Sequence, residues 1–275
     1  EVIPVAAAYA RICIPGVAPM LLFVVFRQTL QALGRVRPVV VAIVVANLFN
    51  ALFDWLLVYG NLGFPQLGAL GCAWVTTASR WLMLLGVVAA GRPLLGPLLE
   101  GLEGGVRHWR ALLRMLVLGA PIGVQRQLEF LVFATIALLM GWLGPEQMAA
   151  HQVTLNLAAL TYMVPVGIGA AAAVRVGRAV GAGDRRRVRS AAAAALAAGG
   201  VFMAGCALVF LLVPHLLAAL FTDVEEVRAM ATVLIRIAGL FQVVDGLQVV
   251  AAGALRGLGD TRSHLAASLA GFWLL

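Results

Sequence analysis

The chain has 275 residues, of which 63% are hydrophobic and only 12% charged, and its mean hydropathy is +1.00. A soluble domain carries roughly 25% charged residues, so the composition excludes one and describes an all-α, polytopic membrane protein. The net charge of +8 does not point to nucleic acid, because the basic residues gather in short loops and not on one soluble face.

Seven apolar runs, at residues 12–33, 38–59, 68–91, 111–141, 148–174, 190–213 and 231–256, reach the roughly 20 residues that a spanning helix needs. An eighth begins near 264. None shows the period-two alternation of a membrane barrel. Cys13, Cys72 and Cys206 each stand alone in an apolar run, so neither a disulfide framework nor metal-ligand spacing is expected.

Arginine alternates from loop to loop. Arg35 and Arg37 follow the first run, whereas 59–66 has no charge; Arg92, Arg107, Arg110 and Arg114 lie in the next connection, whereas Gly144-Pro145-Glu146 has no Arg. Arg178, Arg185, Arg186, Arg187 and Arg189 follow, then an acidic loop with Asp223, Glu225 and Glu226, then Arg256 and Arg262. The positive-inside rule places the Arg-rich loops in the cytoplasm, so the first span runs inward. The longest of them, 93–110, carries Pro93 and Pro97 and divides the chain into 1–92 and 111–275.

The first span and its exit repeat in the last full span at a shift of 225 residues: Leu22, Val24, Val25, Leu30, Leu33, Gly34, Arg37 and Ala42 match Leu247, Val249, Val250, Leu255, Leu258, Gly259, Arg262 and Ala267. An even number of spans separates the copies, so the repeat is parallel, as in transporters that hold substrate between two halves. Projected by the same shift, the counterpart of 111–141 falls before Glu1, and the sequence reads as a piece of a longer protein.

Several motifs stand in order along the chain: Gln31-Ala32-Leu33-Gly34-Arg35, Asn50-x-x-x-Asp54 with Gly60, Gly68-Ala69-Leu70-Gly71 leading to Thr76, and Gly119-x-Pro121 leading to Glu129. They continue in Ala149-Ala150-His151-Gln152, Arg175-Val176-Gly177, Gly181-Ala182-Gly183-Asp184, Gln242-x-x-Asp245 and Leu255-Arg256-Gly257. In that order they resemble the multidrug and toxic compound extrusion (MATE) family, and the resemblance implies helices 4 to 11 of a twelve-helix fold. On that reading 1–92 is the second half of an amino-terminal lobe, 93–110 the cytoplasmic inter-lobe loop and 111–275 most of a carboxyl-terminal lobe. It further implies efflux of small amphipathic cations by antiport with H⁺ or Na⁺, by a monomer in the bacterial inner membrane, with the lipid bilayer as its other partner and no cofactor.

Within the spans, acids are the residues that need an explanation. A charge at the centre of a spanning helix costs about 2.5 to 3.5 kcal/mol, so such a residue faces a cavity, finds a partner or takes up a proton or ion. At 1.5 Å per residue, Glu129 lies about 18 Å and Asp245 about 21 Å below the outer ends of their spans. Gln125 stands one turn before Glu129, and Gln242 and Gln248 flank Asp245 at three-residue spacing, so each acid belongs to a polar stripe lining a wet cavity. The resemblance matches Glu129 and Asp245 to the cation-coupling carboxylates of the NorM-type branch. The alternative is structural: Glu129 pairs with Arg126 three residues earlier, and Asp245 bridges helices. A second candidate cation site comprises Asp54, Asn50 and Thr76, with Asp54 and Thr76 at about 8 and 12 Å depth on successive antiparallel spans. No metal is expected beyond Na⁺ at these acids.

Two other functions compete. A lipid-linked oligosaccharide flippase of the same superfamily would want cationic residues in its cavity, and within the spans only Arg80 and Arg126 are clearly available. Gly257-Leu258-Gly259-Asp260 spells the GxGD motif of intramembrane aspartyl proteases, but Thr261-Arg262-Ser263-His264 follows at once and sets Asp260 at a cytoplasmic helix end. A transporter that is not an enzyme remains the expectation.

Overall fold

The computed structural model describes residues 2–100, 109–260, 263, 265 and 266. Every regular element among them is helical. Seven stretches are long and apolar enough to cross a membrane: Ile3–Ala32, Arg37–Tyr59, Ala69–Pro93, Leu112–Leu143, Pro145–Gly181, Arg185–Leu212 and Glu225–Leu258. The expected eighth span, the repeat matches Arg262 and Ala267, and 101–108 of the inter-lobe connection fall outside the described residues. By its internal contacts the chain forms two compact units, Glu1–His108 and Trp109–Leu275.

In the first unit α1 (Val2–Cys13) and α2 (Val17–Ala32) are joined by the 3₁₀ turn Ile14–Gly16. Pro15 causes the break, because it lacks the N–H that would continue the helical ladder. The Thr77 hydroxyl, on α4 (Ala69–Glu100), donates to the Ile12 carbonyl at 2.9 Å, so a helix interruption inside an apolar span stays satisfied. Between them in sequence lies α3 (Arg37–Tyr59), and Phe23, Leu30, Val39, Ala42 and Val87 form the buried core shared by α2, α3 and α4. α3 ends at Gly60 in the left-handed region (φ 73°), and the Leu67 N–H donates to the Leu57 carbonyl at 2.9 Å, which fixes how far α4 is set back along α3. α4 stays helical past Arg92 to Glu100, where the sequence suggests a loop from 93. Pro93 and Pro97 each lack a helical N–H but do not end the helix.

The second unit contains α5 (Trp109–Leu143), α6 (Pro145–Gly181), α7 (Arg185–Leu212), the short α8 (Pro214–Ala219) and α9 (Glu225–Leu258). Helix boundaries lie beyond the expected span ends. At 1.5 Å per residue the 37-residue α6 is about 55 Å long against a hydrocarbon core of about 30 Å, so its ends stand outside the bilayer. Gly144 alone separates α5 from α6, in a conformation (φ 139°, ψ 167°) open to glycine. α8 has no counterpart among the sequence expectations, since six residues are too short for a periodic signal.

α6 and α9 run in the same direction and approach most closely where both are small. A Cβ built on Gly257 would lie 2.7 Å from the Ala173 carbonyl oxygen, and one on Gly169 3.0 Å from that of Val249. Small residues at four-residue spacing, Gly169, Ala173 and Gly177 against Gly253 and Gly257, let the backbones meet as membrane helices do where they depend on close packing. Farther out, Ala150, Val153, Leu157, Phe210, Ala231, Ile235 and Ala238 fill the core among α6, α7 and α9.

Three helices end in the same cap. Gly34 and Arg35 donate to Gln31 and Leu30 (2.9 and 2.8 Å), Gly183 and Asp184 to Val180 and Ala179 (both 3.0 Å), and Gly259 and Asp260 to Arg256 and Leu255 (both 3.0 Å). This is the paired bond of the Schellman motif, with glycine at positive φ in each case. The first and third sets are offset by 225 residues, so the sequence repeat is also a repeat of backbone geometry.

Candidate functional site

α5 is the least buried span; of its described side chains only Gln125 is buried, at 2% exposure. The helix therefore meets its unit through an amide. Gln125 Nε2 donates to Glu129 Oε1 at 2.7 Å, and Arg126 Nη1 donates to Glu129 Oε2 at 2.7 Å. Both carboxylate oxygens are thus occupied from the same helix. Glu129 is 16% and Arg126 47% exposed, so the acid is the more enclosed partner of the ion pair.

The neighbours come from α6 and α9. The Arg126 guanidinium also interacts with the Tyr162 hydroxyl of α6. Half-buried Asp245 on α9 lies within the electrostatic reach of both Glu129 and Tyr162, and Arg256, farther along α9, lies within that of Arg126, Tyr162 and Glu129. Gln242 is buried, at 2% exposure, and its amide donates to the Thr161 hydroxyl across the α6–α9 seam. Two acids, two amides, two hydroxyls and two guanidiniums of three helices make one polar cluster. Gln248, expected beside Asp245, is exposed. Thr161, Tyr162 and Arg256 were not singled out by the sequence as members.

In the first unit Asp54 opens on a shallow groove lined by Ala51, Asp54, Trp55, Val58, Tyr59, Gly68, Ala69 and Cys72. Asn50 and Thr76 are not among its lining residues. The Cys72 thiol donates to the Asp54 carboxylate, while Asp54 Oδ1 is buried without a partner. Tyr9 of α1 interacts with the thiols of both Cys13 and Cys72, so the carboxylate is linked through Cys72 to α1. Arg80 does not serve Asp54 visibly: its side chain lies against Gly16 at the α1–α2 break, where a Cβ would come within 3.1 Å of Arg80 Cδ.

The sequence profile described as MatE matches residues 1–56 and 121–275. The chain belongs to the MatE family. Its relatives include the "Probable multidrug resistance protein NorM" of Rhizobium meliloti (strain 1021), 38% identical over 99% of this chain and 60% of that protein. Another is the "Multidrug resistance protein MdtK" of Edwardsiella ictaluri, 34% identical over 98% of this chain and 60% of that protein. The crystal structure of the eukaryotic MATE transporter AtDTX14 has the same fold, with a TM-score of 0.83 at 23% identity over 97% of this chain and 59% of that one. This chain therefore spans about 60% of the length of the relatives that it matches. MatE proteins are transporters, which removes the protease reading of Asp260. Its carboxylate accepts from the Ser263 N–H at 3.0 Å just past the end of α9, a turn-forming role.

Proposed function

We propose that this MatE protein acts as a secondary exporter of small amphipathic organic cations. Antiport with H⁺ or Na⁺ drives it in a bacterial cytoplasmic membrane, by alternating access between lobes at 1–92 and 111–275 that are joined through 93–110. The observation that carries this reading is that Glu129 of α5 and Asp245 of α9 share one polar cluster inside apolar helices. Glu129 is paired with Arg126, but a second acid in its electrostatic reach, half-buried in an apolar helix, makes the site as a whole favour a cation. A cation here would draw its oxygens from the two acids and from neutral groups near them such as the Tyr162 hydroxyl. The names of the relatives, as multidrug resistance proteins, support the substrate class.

The test is efflux of ethidium from vesicles. They carry a chimaera that joins this chain to the segments of the Rhizobium meliloti relative outside the match. Efflux should respond to an imposed H⁺ or Na⁺ gradient and be lost in Glu129→Gln. Gradient-driven efflux at the wild-type rate in that variant removes Glu129 from the mechanism.

A further inference from the structure

We propose that Arg126 is a tethered competitor: its guanidinium holds the place at Glu129 that an incoming cation takes, and it falls back on its existing contact with the Tyr162 hydroxyl when that cation arrives. The inference rests on the reading of Glu129 and Asp245 as the cation site and says how that site is kept closed when empty.

Three observations lead to it. Gln125 Nε2 and Arg126 Nη1 each sit 2.7 Å from a different oxygen of Glu129, so that carboxylate already carries a cationic partner with which an incoming cation has to compete. The two donors differ in freedom: Gln125 is 2% exposed and fixed where α5 docks, whereas Arg126 is 47% exposed on a long side chain. Arg126 finally has a second partner in the Tyr162 hydroxyl, on a different helix, and is 47% exposed, so on leaving Glu129 its guanidinium keeps a hydrogen-bond acceptor and reaches its surroundings. The pair spans three residues of one helix, so rigid movement of α6 or α9 cannot open it. A side-chain rotation can. Cation affinity is then the difference between binding at Glu129 and the pair that is given up.

The probe is tetraphenylphosphonium, measured by equilibrium dialysis against the 275-residue chain in lipid nanodiscs, with helix content matched by circular dichroism. Arg126→Gln is expected to tighten binding about tenfold. Arg126→Lys, which keeps the tethered charge, is expected to stay near wild type. In a Glu129→Gln background, removing Arg126 should add nothing. Loss of binding in Glu129→Gln together with unchanged or weaker binding in Arg126→Gln overturns the competitor and leaves the acid site standing. Wild-type binding in Glu129→Gln overturns the site reading itself, and absence of binding by every variant overturns both.

Discussion

Gly253 of α9 rests against Gly169 of α6 so closely that a methyl group on Gly253 would lie 2.6 Å from the Gly169 Cα. The obstacle is backbone, which cannot rotate away as a side chain can. Gly253→Ala is expected to cost about 1 to 3 kcal/mol through overpacking and to lower the unfolding temperature of the chain in nanodiscs. Gly205→Ala is the control, since a Cβ there meets nothing within 4 Å. Equal melting of the two variants would show that the α6–α9 contact is looser than described.

Thr77 holds the break before α2 in place through the Ile12 carbonyl. Thr77→Val keeps the shape and removes the donor, and hydrogen bonds between membrane helices average about 0.6 kcal/mol. A small loss of thermal stability is expected in Thr77→Val and none in Thr77→Ser. Identical stability of all three proteins would show that Ile12 finds another donor.

Arginine placement fixes sidedness. A cysteine at Asn61, in the short 3₁₀ turn after α3, should react with an impermeant maleimide in intact cells, and one at Arg186, in the first turn of α7, should not. The reverse pattern would invert the topology.

Glu129 and Asp245 are expected to act as one unit. In the chimaera Asp245→Asn should abolish gradient-driven efflux as Glu129→Gln does, and the double variant should be no worse than either, because groups working together are not additive. Residual efflux in each single variant that falls further in the double would mean two independent sites, and would direct attention to Asp54.

Charge made much of this legible in the sequence. Glu129 and Asp245 stand out because a charge in an apolar run is expensive, and Arg placement orders the loops. Thr161 and Tyr162 did not stand out, since a hydroxyl in a spanning helix costs little and its partner depends on how α6 and α9 are rotated, which the Gly169–Gly253 approach decides. The Asp54 neighbourhood shows a similar limit. Depth counted at 1.5 Å per residue paired Asp54 with Thr76, but the Leu67–Leu57 bond sets α4 so that Cys72, one turn earlier, comes alongside. The Glu129–Arg126 pair was legible as a spacing. Gln125, one turn before Glu129, was legible in the same way; that it is the one buried side chain among those described on α5 was not.

The matching caps of α2 and α9 mark two copies of one scaffold, and the same register allows their interiors to be compared position by position. The residues 225 before Gln242, Asp245 and Gln248 are Val17, Met20 and Phe23. Where one copy is polar, the other is oily. The likeness of α2 and α9 therefore stops at these polar positions: the two share apolar side chains, a shape and a way of ending, but the chemistry of Gln242, Asp245 and Gln248 has no mirror in α2. Such a pair is matched as a scaffold and lopsided as a chemical surface.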